Sequence, residues 1–485
     1  MRTIGAVTTV GARAAPAGVP TSPLPSGPAA DLLGLTWQLH ADPYAMGLAP
    51  LIGLAVRDNA KRAQLVVSRV LAKHIPAAPS IVRGAALLLA GQVARTLGSG
   101  GEPGLTAGVL DPASAADVRR LVAQGLGVEA LVVGYCETAT GLGHGVADAL
   151  GDADYLHTTR RHVPGRLPVA GFDEEHSHAV RHQLLPGDPG MLSRDRPLVL
   201  VDDELTTGTT SLNTIAALQA RWPRDRYVLA ALADLRPPAD RRAFDERAAA
   251  LGVRVDVASL VDATLLAPAD VLERAVRARS VLGALPAAPV PCGAARVVAC
   301  ERAWPSGIPL GGRQGFCPSD RGPHAAAVAD AAAAVAGLLP DGGRVLVVGT
   351  EELMHTPVLL ADELDRSRGG GTGGAGDTGG TVVQSTTRSP VVVADRPGYA
   401  VRRLVAAPAP DEPHRLTRLH NLIDPHADLP GGTASAASPA PPYAGIVLVT
   451  DTPAAAAIPL ARELARWASD VVVVAALAEA PPEPA

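Results

Sequence analysis

The chain has 485 residues, 47% hydrophobic and 19% charged, enough apolar material for roughly two to four domains and too much for wholesale disorder. Its 43 basic and 48 acidic residues leave a formal charge of −5, and no apolar run reaches the length of a membrane span, so nothing argues for nucleic acid or a membrane as partner. The four cysteines, Cys136, Cys292, Cys300 and Cys317, form no Cys-x-x-Cys pair; this argues against a zinc site and a disulfide framework and makes a reducing, cytoplasmic address the expectation.

Residues 1–30, rich in Pro, Ala, Gly and Ser, read as a disordered leader. The segment 57–76 then carries Arg57, Asn59, Lys61, Arg62, Lys73 and His74, and Lys61 and Lys73 are the only lysines of the chain. Confining the compact ammonium to this stretch suggests an anion contact; a solvated helix face is the plainer alternative. Further along, 128–135 reads as a buried strand, 141–150 as a helix and 153–159 as a strand whose end carries His157 and leads into Arg160. After it, "GFDEEHSHAVRH" (171–182) brings Glu174, Glu175, His176, His178 and His182 together. His-x-His beside carboxylates is a plausible ligand set for a transition metal, with base or loop contacts and simple polarity as the other readings. No metal ligand is assigned.

The strand "PLVLV" (197–201) leads into "VDDELTTGTT" (201–210) and a helix over 211–220. Unpaired N–H groups at a helix start suit a phosphate, Thr206, Thr207, Thr209 and Thr210 add hydroxyl donors, and Gly208 lets the backbone approach. Asp202 and Asp203 cannot hold that phosphate, but they can accept hydrogen bonds from sugar hydroxyls beside it. A ribose 5-phosphate has both features. A P-loop is excluded because neither lysine follows a glycine, and a phosphate-receiver domain because no lysine follows Lys73. A strand at 227–235, a helix at 240–252 and a strand at 253–260 complete the alternation, which predicts a parallel sheet with helices on both faces and a ligand beyond the strands' carboxyl ends.

A Pro/Ala-rich stretch around 286–294 reads as a linker between a domain at 31–285 and one at 295–485. The second block repeats the pattern: strands at 344–349, 381–385, 445–450 and 470–477, helices at 356–364 and 454–468, and a glycine-rich loop at 366–380. Two α/β domains in tandem are expected. Within the second, Thr386, Thr387, Arg388 and Ser389 offer hydroxyls and a guanidinium to an anion, and Glu351, Glu352, His355 and Asp451 an acidic wall opposite; capping roles are the alternative.

The stretch 201–210 resembles the signature loop of type I phosphoribosyltransferases, which bind phosphoribosyl pyrophosphate. "GYCETATG" (134–141) falls where that family has its pyrophosphate loop, and the resemblance makes Glu137, Thr138, Ala139, Thr140 and Gly141 that loop. The arginine of adenine-type members is absent, since Thr140 stands in its place, so the positive partner of the pyrophosphate is unassigned. "RDNAKRAQLVVSRVLAKHIP", "HTTRR", "EEHSHA" and "STTRSP" together resemble one bacterial family that joins such a domain to a C-terminal domain named for its Thr-Arg-Ser-Pro motif, associated with tellurium-resistance-type stress operons. The resemblance implies a phosphoribosyltransferase-type parallel sheet plus a second Rossmann-like α/β domain. It implies a Mg²⁺-dependent enzyme acting on small molecules, in which Asp202 and Asp203 hold the ribose and Thr206 to Thr210 the 5′-phosphate. Arg57, Lys61, Lys73, His74, His157, Arg160, Glu175, His176 and His178 are then candidate contacts to the pyrophosphate or the base. A homo-oligomer, a reaction that cleaves rather than makes the ribosidic bond, and a non-catalytic sensor of phosphoribosyl pyrophosphate are compatible with the same features.

Overall fold

A computed structural model of the chain describes residues 24–100, 104–163, 165–172, 182–285, 290–369, 380–423 and 440–478. The candidates Glu174, Glu175, His176 and His178, most of the expected leader, residues 286–289 of the expected linker and 370–379 of the expected glycine-rich loop lie outside these residues.

The first half contains α1 (Pro28–Leu33), β1 (Thr36–Ala41), β2 (Ile52–Val56), β3 (Gln64–Ser68), α2 (Pro79–Leu97), α3 (Ala115–Gln124), β4 (Ala130–Gly134), α4 (Ala139–Leu150), β5 (Ala153–His157), β6 (Ala170–Phe172) and β7 (His182–Leu184). It continues through β8 (Leu198–Leu205), α5 (Thr209–Gln219), β9 (Arg226–Asp234), α6 (Pro238–Ala250), β10 (Arg254–Leu266) and α7 (Val271–Gly283). Among the described residues, one sheet has the order β1-β10-β9-β8-β4-β5, parallel except for β1. Strand β4 is wholly buried, as are the first four residues of β8, which fits Val/Leu-rich strands covered on both faces. The chain passes from β4 outward to β5 and then back to β8 on the other side of β4. Strand order therefore reverses between β4 and β8, which opens a crevice at their carboxyl ends.

The second half adds β11 (Arg296–Glu301), α8 (Arg321–Ala336), β12 (Val345–Gly349), α9 (His355–Ser367), β13 (Thr381–Ser385), the hairpin β14 (Leu404–Ala409) and β15 (Glu412–His420), β16 (Tyr443–Thr450), α10 (Ala454–Leu464) and β17 (Ala468–Ala476). Its parallel sheet has the order β11-β17-β16-β12-β13 and reverses between β12 and β16. This is the Rossmann-like arrangement expected of the second half. Among the described residues, no helix is long and apolar enough to cross a membrane.

The two halves interlock. Residues Val391, Ala394, Tyr399, Ala400 and Val401 belong to the first core, where the Tyr399 hydroxyl accepts from Val56 N and donates to Val392 O, both at 2.9 Å. Conversely, Ala72, Ala77 and Val82 sit in a core of the second half, and Ala77 bridges Val383. One alternative falls away and one expectation changes. The basic stretch 57–76 is not the solvated helix face that stood as the alternative to an anion contact: 57–62 turns between β2 and β3, and Lys73 and His74 lie buried in the loop before α2. Strand β8 runs to Leu205, not Val201, because β9 continues beside it and pairs Asp202 with Ala231 and Glu204 with Ala233. The acids are thus part of the strand.

Candidate functional site

A cavity of about 600 Å³ occupies the crevice at the reversal between β4 and β8. On one side β8 supplies Asp202, Asp203 and Glu204, all half-buried. Burial and the neighbouring Asp203 and Asp202 push the Glu204 carboxyl well above the usual range. Three adjacent acids thus crowd one cavity wall, and their oxygen donors fit a hard divalent ion, which would relieve the repulsion among them. A recess of about 40 Å³ shares Arg62, Asp202, Glu204, Thr206 and Thr210 with the cavity and is otherwise formed by Leu205, Thr207, Gly208, Thr209 and Ser211. Gly208 turns the chain into α5 at φ 77°, and a Cβ there would lie 2.5 Å from Phe244 Cδ2, so the turn requires glycine. The recess opens onto the N-terminus of α5, and Arg62 supplies a cation. These features suit a phosphate monoester.

The opposite wall comes from the loop after β4 and from the second half. Glu137 and Thr138 face the cavity, but Ala139, Thr140 and Gly141 form the first turn of α4. The expected five-residue pyrophosphate loop is thus two residues long on the cavity side. A Cβ on Gly141 would meet Met354 Cβ at 3.0 Å, so that glycine serves packing between the halves. Lys73 Nζ donates to Thr138 Oγ1. Arg57, Lys73, His74 and Arg160 line the cavity, whereas Lys61 is exposed and His157 belongs to a different cavity. Arg388, Ser389 and Pro390 of the second half close the wall. Thr387 Oγ1 donates to Glu137 Oε2 (2.9 Å), Arg388 N donates to the same oxygen (3.2 Å), and Arg388 Nε lies 2.8 Å from Glu351 Oε2 and 3.3 Å from Glu137 Oε1. The Thr-Arg-Ser-Pro motif is therefore a piece of the first half's cavity, with its guanidinium between two carboxylates.

Sequence reasoning missed Tyr135 and Phe172. The His182 ring stacks on Phe172 at 5.1 Å and meets Tyr135 edge-on at 6.1 Å, and Arg160 Nη2 lies 2.9 Å from His182 Nε2. Tyr135 and His182 line the cavity and offer aromatic surface to a planar ligand. Cys136 also lines it, but burial and Glu352 push its thiol up to about 12, which rules out a thiolate nucleophile at neutral pH.

Of the expected acidic wall of the second half, Glu352, His355 and Asp451 share one cavity lining while Glu351 lies apart, and the acids are neutralised by arginines. Glu351, at φ 51°, is held by Arg415 Nη1 (2.5 Å) as well as Arg388. Glu352 accepts from Thr159 Oγ1 (2.7 Å), Arg160 N (3.0 Å) and Arg313 Nε (3.2 Å). Burial alone would raise its carboxyl, but Arg313, Arg161 and His157 hold it at about 2. Asp451 pairs with Arg161 (2.9 Å) and Arg313 (3.2 Å), and Arg161 also with Asp411 (3.0 Å). This network stitches the β5 end of the first sheet to the carboxyl ends of β12 and β16. Behind it lies a second cavity of about 510 Å³, at the reversal of the second sheet, lined among others by Thr140, His144, His157, Arg313, Glu352, His355 and Asp451. Burial lowers His157 to about 4, so it is neutral there. Among the described residues, His144, Asp148 and His355 are grouped so that a metal ion could be held. The spacing of His144 and Asp148, four apart on one helix, was visible in the sequence; their neighbour His355 was not.

Comparison with protein families matches residues 51–264 to a model described as phosphoribosyl transferase, and residues 310–464 to the TRSP domain that lies C-terminal to it. Comparison with curated proteins gives no match. Among solved structures, adenine phosphoribosyltransferase from Trypanosoma brucei in complex with AMP, pyrophosphate and ribose-5-phosphate is similar at 15% identity, over 30% of this chain and 65% of that one, with a TM-score of 0.22. The adenine phosphoribosyltransferase of Giardia lamblia complexed with 9-deazaadenine is similar at 20% identity, over 31% and 80%, with a TM-score of 0.21, and that of Rhodothermus marinus at 18%, over 30% and 80%, with 0.20. The match thus spans less than two thirds of the trypanosomal chain.

Proposed function

This chain joins a phosphoribosyltransferase domain to a TRSP domain, and from that premise we propose that it transfers the ribose 5-phosphate of phosphoribosyl pyrophosphate to a nitrogen nucleophile in a Mg²⁺-dependent reaction. One observation carries the reading: acids, a recess at a helix start and a cluster of cations share one cavity at a sheet reversal, matching the hydroxyls, 5′-phosphate and pyrophosphate of the donor. Thr206 to Thr210 and Arg62 hold the 5′-phosphate. Asp202 and Asp203 accept from the ribose hydroxyls, and their charge favours a sugar that becomes positive as the leaving group departs. Lys73, Arg160 and Arg388 face the pyrophosphate. Arg388 thus fills the place left by the adenine-type arginine. Tyr135 and His182 flank a planar acceptor.

Attack on C1 forms the C–N bond, breaks the C–O bond to pyrophosphate and releases the proton of the nucleophile. Mg²⁺, with Asp202 and Asp203 as its protein-side oxygens, would neutralise the leaving pyrophosphate. Arg388, Ser389 and Pro390 of the second half wall the cavity and so help to exclude water from the reactive sugar. The resemblance to stress-operon members supports a product in stress-linked nucleotide-like metabolism.

Incubating the full-length protein with phosphoribosyl pyrophosphate, Mg²⁺ and a pool of nitrogenous bases should release pyrophosphate and yield a ribosylated product by mass spectrometry, and Asp203→Asn should abolish both. Binding of phosphoribosyl pyrophosphate without pyrophosphate release from any pool would instead identify a sensor.

A further inference from the structure

The second cavity carries an inference independent of the phosphoribosyl reading. We propose that it binds a divalent first-row transition-metal ion through His144, Asp148 and His355.

His144 and Asp148 stand four residues apart on α4 and so project from one helix face. His355 is the first residue of α9 and reaches them from the second half. One potential ligand atom from each of the three lies within 4.8 Å of the others. Around a tetrahedral ion with bonds of about 2.0–2.1 Å, donor atoms sit roughly 3.4 Å apart, so closing the set takes a shortening of about 1 Å together with rotation of one imidazole out of its stack, since a ring nitrogen donates in the ring plane. The two imidazoles lie face to face, centroids 3.7 Å apart and 15° from parallel. His355 Nε2 has a polar partner, Asp148 Oδ2, at 3.0 Å. His144 Nε2 has none among the described residues, although the side chain is 1% exposed. A buried ring nitrogen at the edge of a polar cavity, with a carboxylate and a second imidazole beside it, is placed as a ligand and has no other polar work to do. The remaining oxygen of Asp148 accepts from Arg321 Nε (3.0 Å), which fixes the carboxylate as a supporting partner of a metal ligand does.

The donor set decides the class of ion. Two nitrogens and one oxygen suit Zn²⁺ and its first-row neighbours, not Mg²⁺ or Ca²⁺, which take oxygen ligands. The site is therefore chemically separate from the acid wall of the first cavity. Three protein ligands leave a fourth position; His144 and His355 both line the 510 Å³ cavity, whose other walls carry His157, Arg313, Glu352 and Asp451, while Asp148 lines a small void of about 10 Å³ that also touches His355. An open site of this kind binds a water or a small ligand.

The test uses full-length protein stripped with chelator, in a His176→Gln/His178→Gln background that removes the other histidine-rich segment. Titration with Co²⁺ should give one equivalent per chain with the intense visible absorption of a four-coordinate ion, displaced by Zn²⁺. His144→Gln and Asp148→Asn, each introduced separately, should weaken Zn²⁺ binding about tenfold or more in calorimetry, with metal-free circular dichroism matching the parent. Folded parent that takes up no stoichiometric ion overturns the proposal. So does unchanged affinity in His144→Gln. If that variant does not fold, the parent titration and Asp148→Asn decide.

Discussion

Replacing Arg388 with glutamine tests whether the second half takes part in the first half's chemistry. The guanidinium lies 2.8 Å from Glu351 Oε2 and 3.3 Å from Glu137 Oε1, and its side chain is 23% exposed. After the change Glu351 keeps Arg415, but Glu137 keeps only Thr387 Oγ1 and the backbone N–H of residue 388. A bound pyrophosphate then loses one cation and faces an unshielded carboxylate. Two unit charges 5 Å apart interact by about 3 kcal/mol at an effective dielectric constant of 20. Partial exposure and competing water reduce this, so about 1.5–3 kcal/mol, or roughly a 10- to 100-fold weaker pyrophosphate complex, is expected. Stability should fall as well, by about 1–3 kcal/mol, because Arg388 is partly exposed but the Glu137 carboxylate it leaves behind is buried. Arg388→Lys should recover part of the affinity, since it restores the charge without the planar fork. Calorimetry with inorganic pyrophosphate and, separately, ribose 5-phosphate provides the readout. Ribose 5-phosphate uses the other end of the cavity and should bind unchanged. Equal losses for both ligands, or no loss for pyrophosphate in a folded protein, would refute the reasoning.

Gly208→Val combines a β-branched residue at φ 77° with a Cβ 2.5 Å from the Phe244 ring; it should cost about 2–4 kcal/mol in chemical denaturation and weaken ribose 5-phosphate at least tenfold, and an unperturbed phosphate affinity would sink the recess assignment. Glu352→Ala leaves the Thr159 hydroxyl and the Arg160 N–H without their acceptor and weakens the hold on Arg313 between the halves. A loss of about 3–5 kcal/mol is expected, read as a lowered unfolding midpoint, and a change under 1 kcal/mol would contradict the described network. Acid should destabilise the protein before its carboxylates titrate. Burial holds His157 at about 4 and His420 at about 3 in the folded state, against about 6.5 unfolded. Below pH 6.5 the unfolded chain takes up protons that the native state refuses, so stability falls by about 1.4 kcal/mol per histidine per pH unit, down to each folded value. Glu352 works in the same direction only below about pH 4.5, as its stabilisation disappears toward its folded value of about 2. Unfolding free energies from urea titrations at pH 7.5 and 5.0 should thus differ by about 4 kcal/mol from the two histidines alone, and equal values would show that they are not buried neutral.

Much of this was legible in local sequence, for a physical reason. A strand buried on both faces is a short Val/Leu run, and an anion loop at a helix start needs glycine and hydroxyls within a few residues. Both signals are short-range, so the strands at 198–205, 345–349 and 443–450 and the loop Thr206 to Thr210 could be read directly, to within a few residues at their ends. Helix α2 was not legible, because "PSIVRGAALLLAGQVARTL" is buried on nearly every face and shows no apolar stripe. The end of β8 was not legible either, since nothing in "DDEL" favours a strand. Its partner β9, buried throughout Tyr227–Asp234, imposes the extended form on it.

By itself, then, the sequence determined the kind of chemistry: two α/β units, and beside one strand a pairing of acids with an anion loop that suits ribose 5-phosphate. Tertiary structure alone decided which distant residues complete that site. Arg388 meets Glu137 across some 250 positions of chain, and His355 meets His144 across some 210. No local propensity encodes such pairings. They follow from two sheet reversals packed edge to edge, with buried acids that must find arginines wherever the fold supplies them.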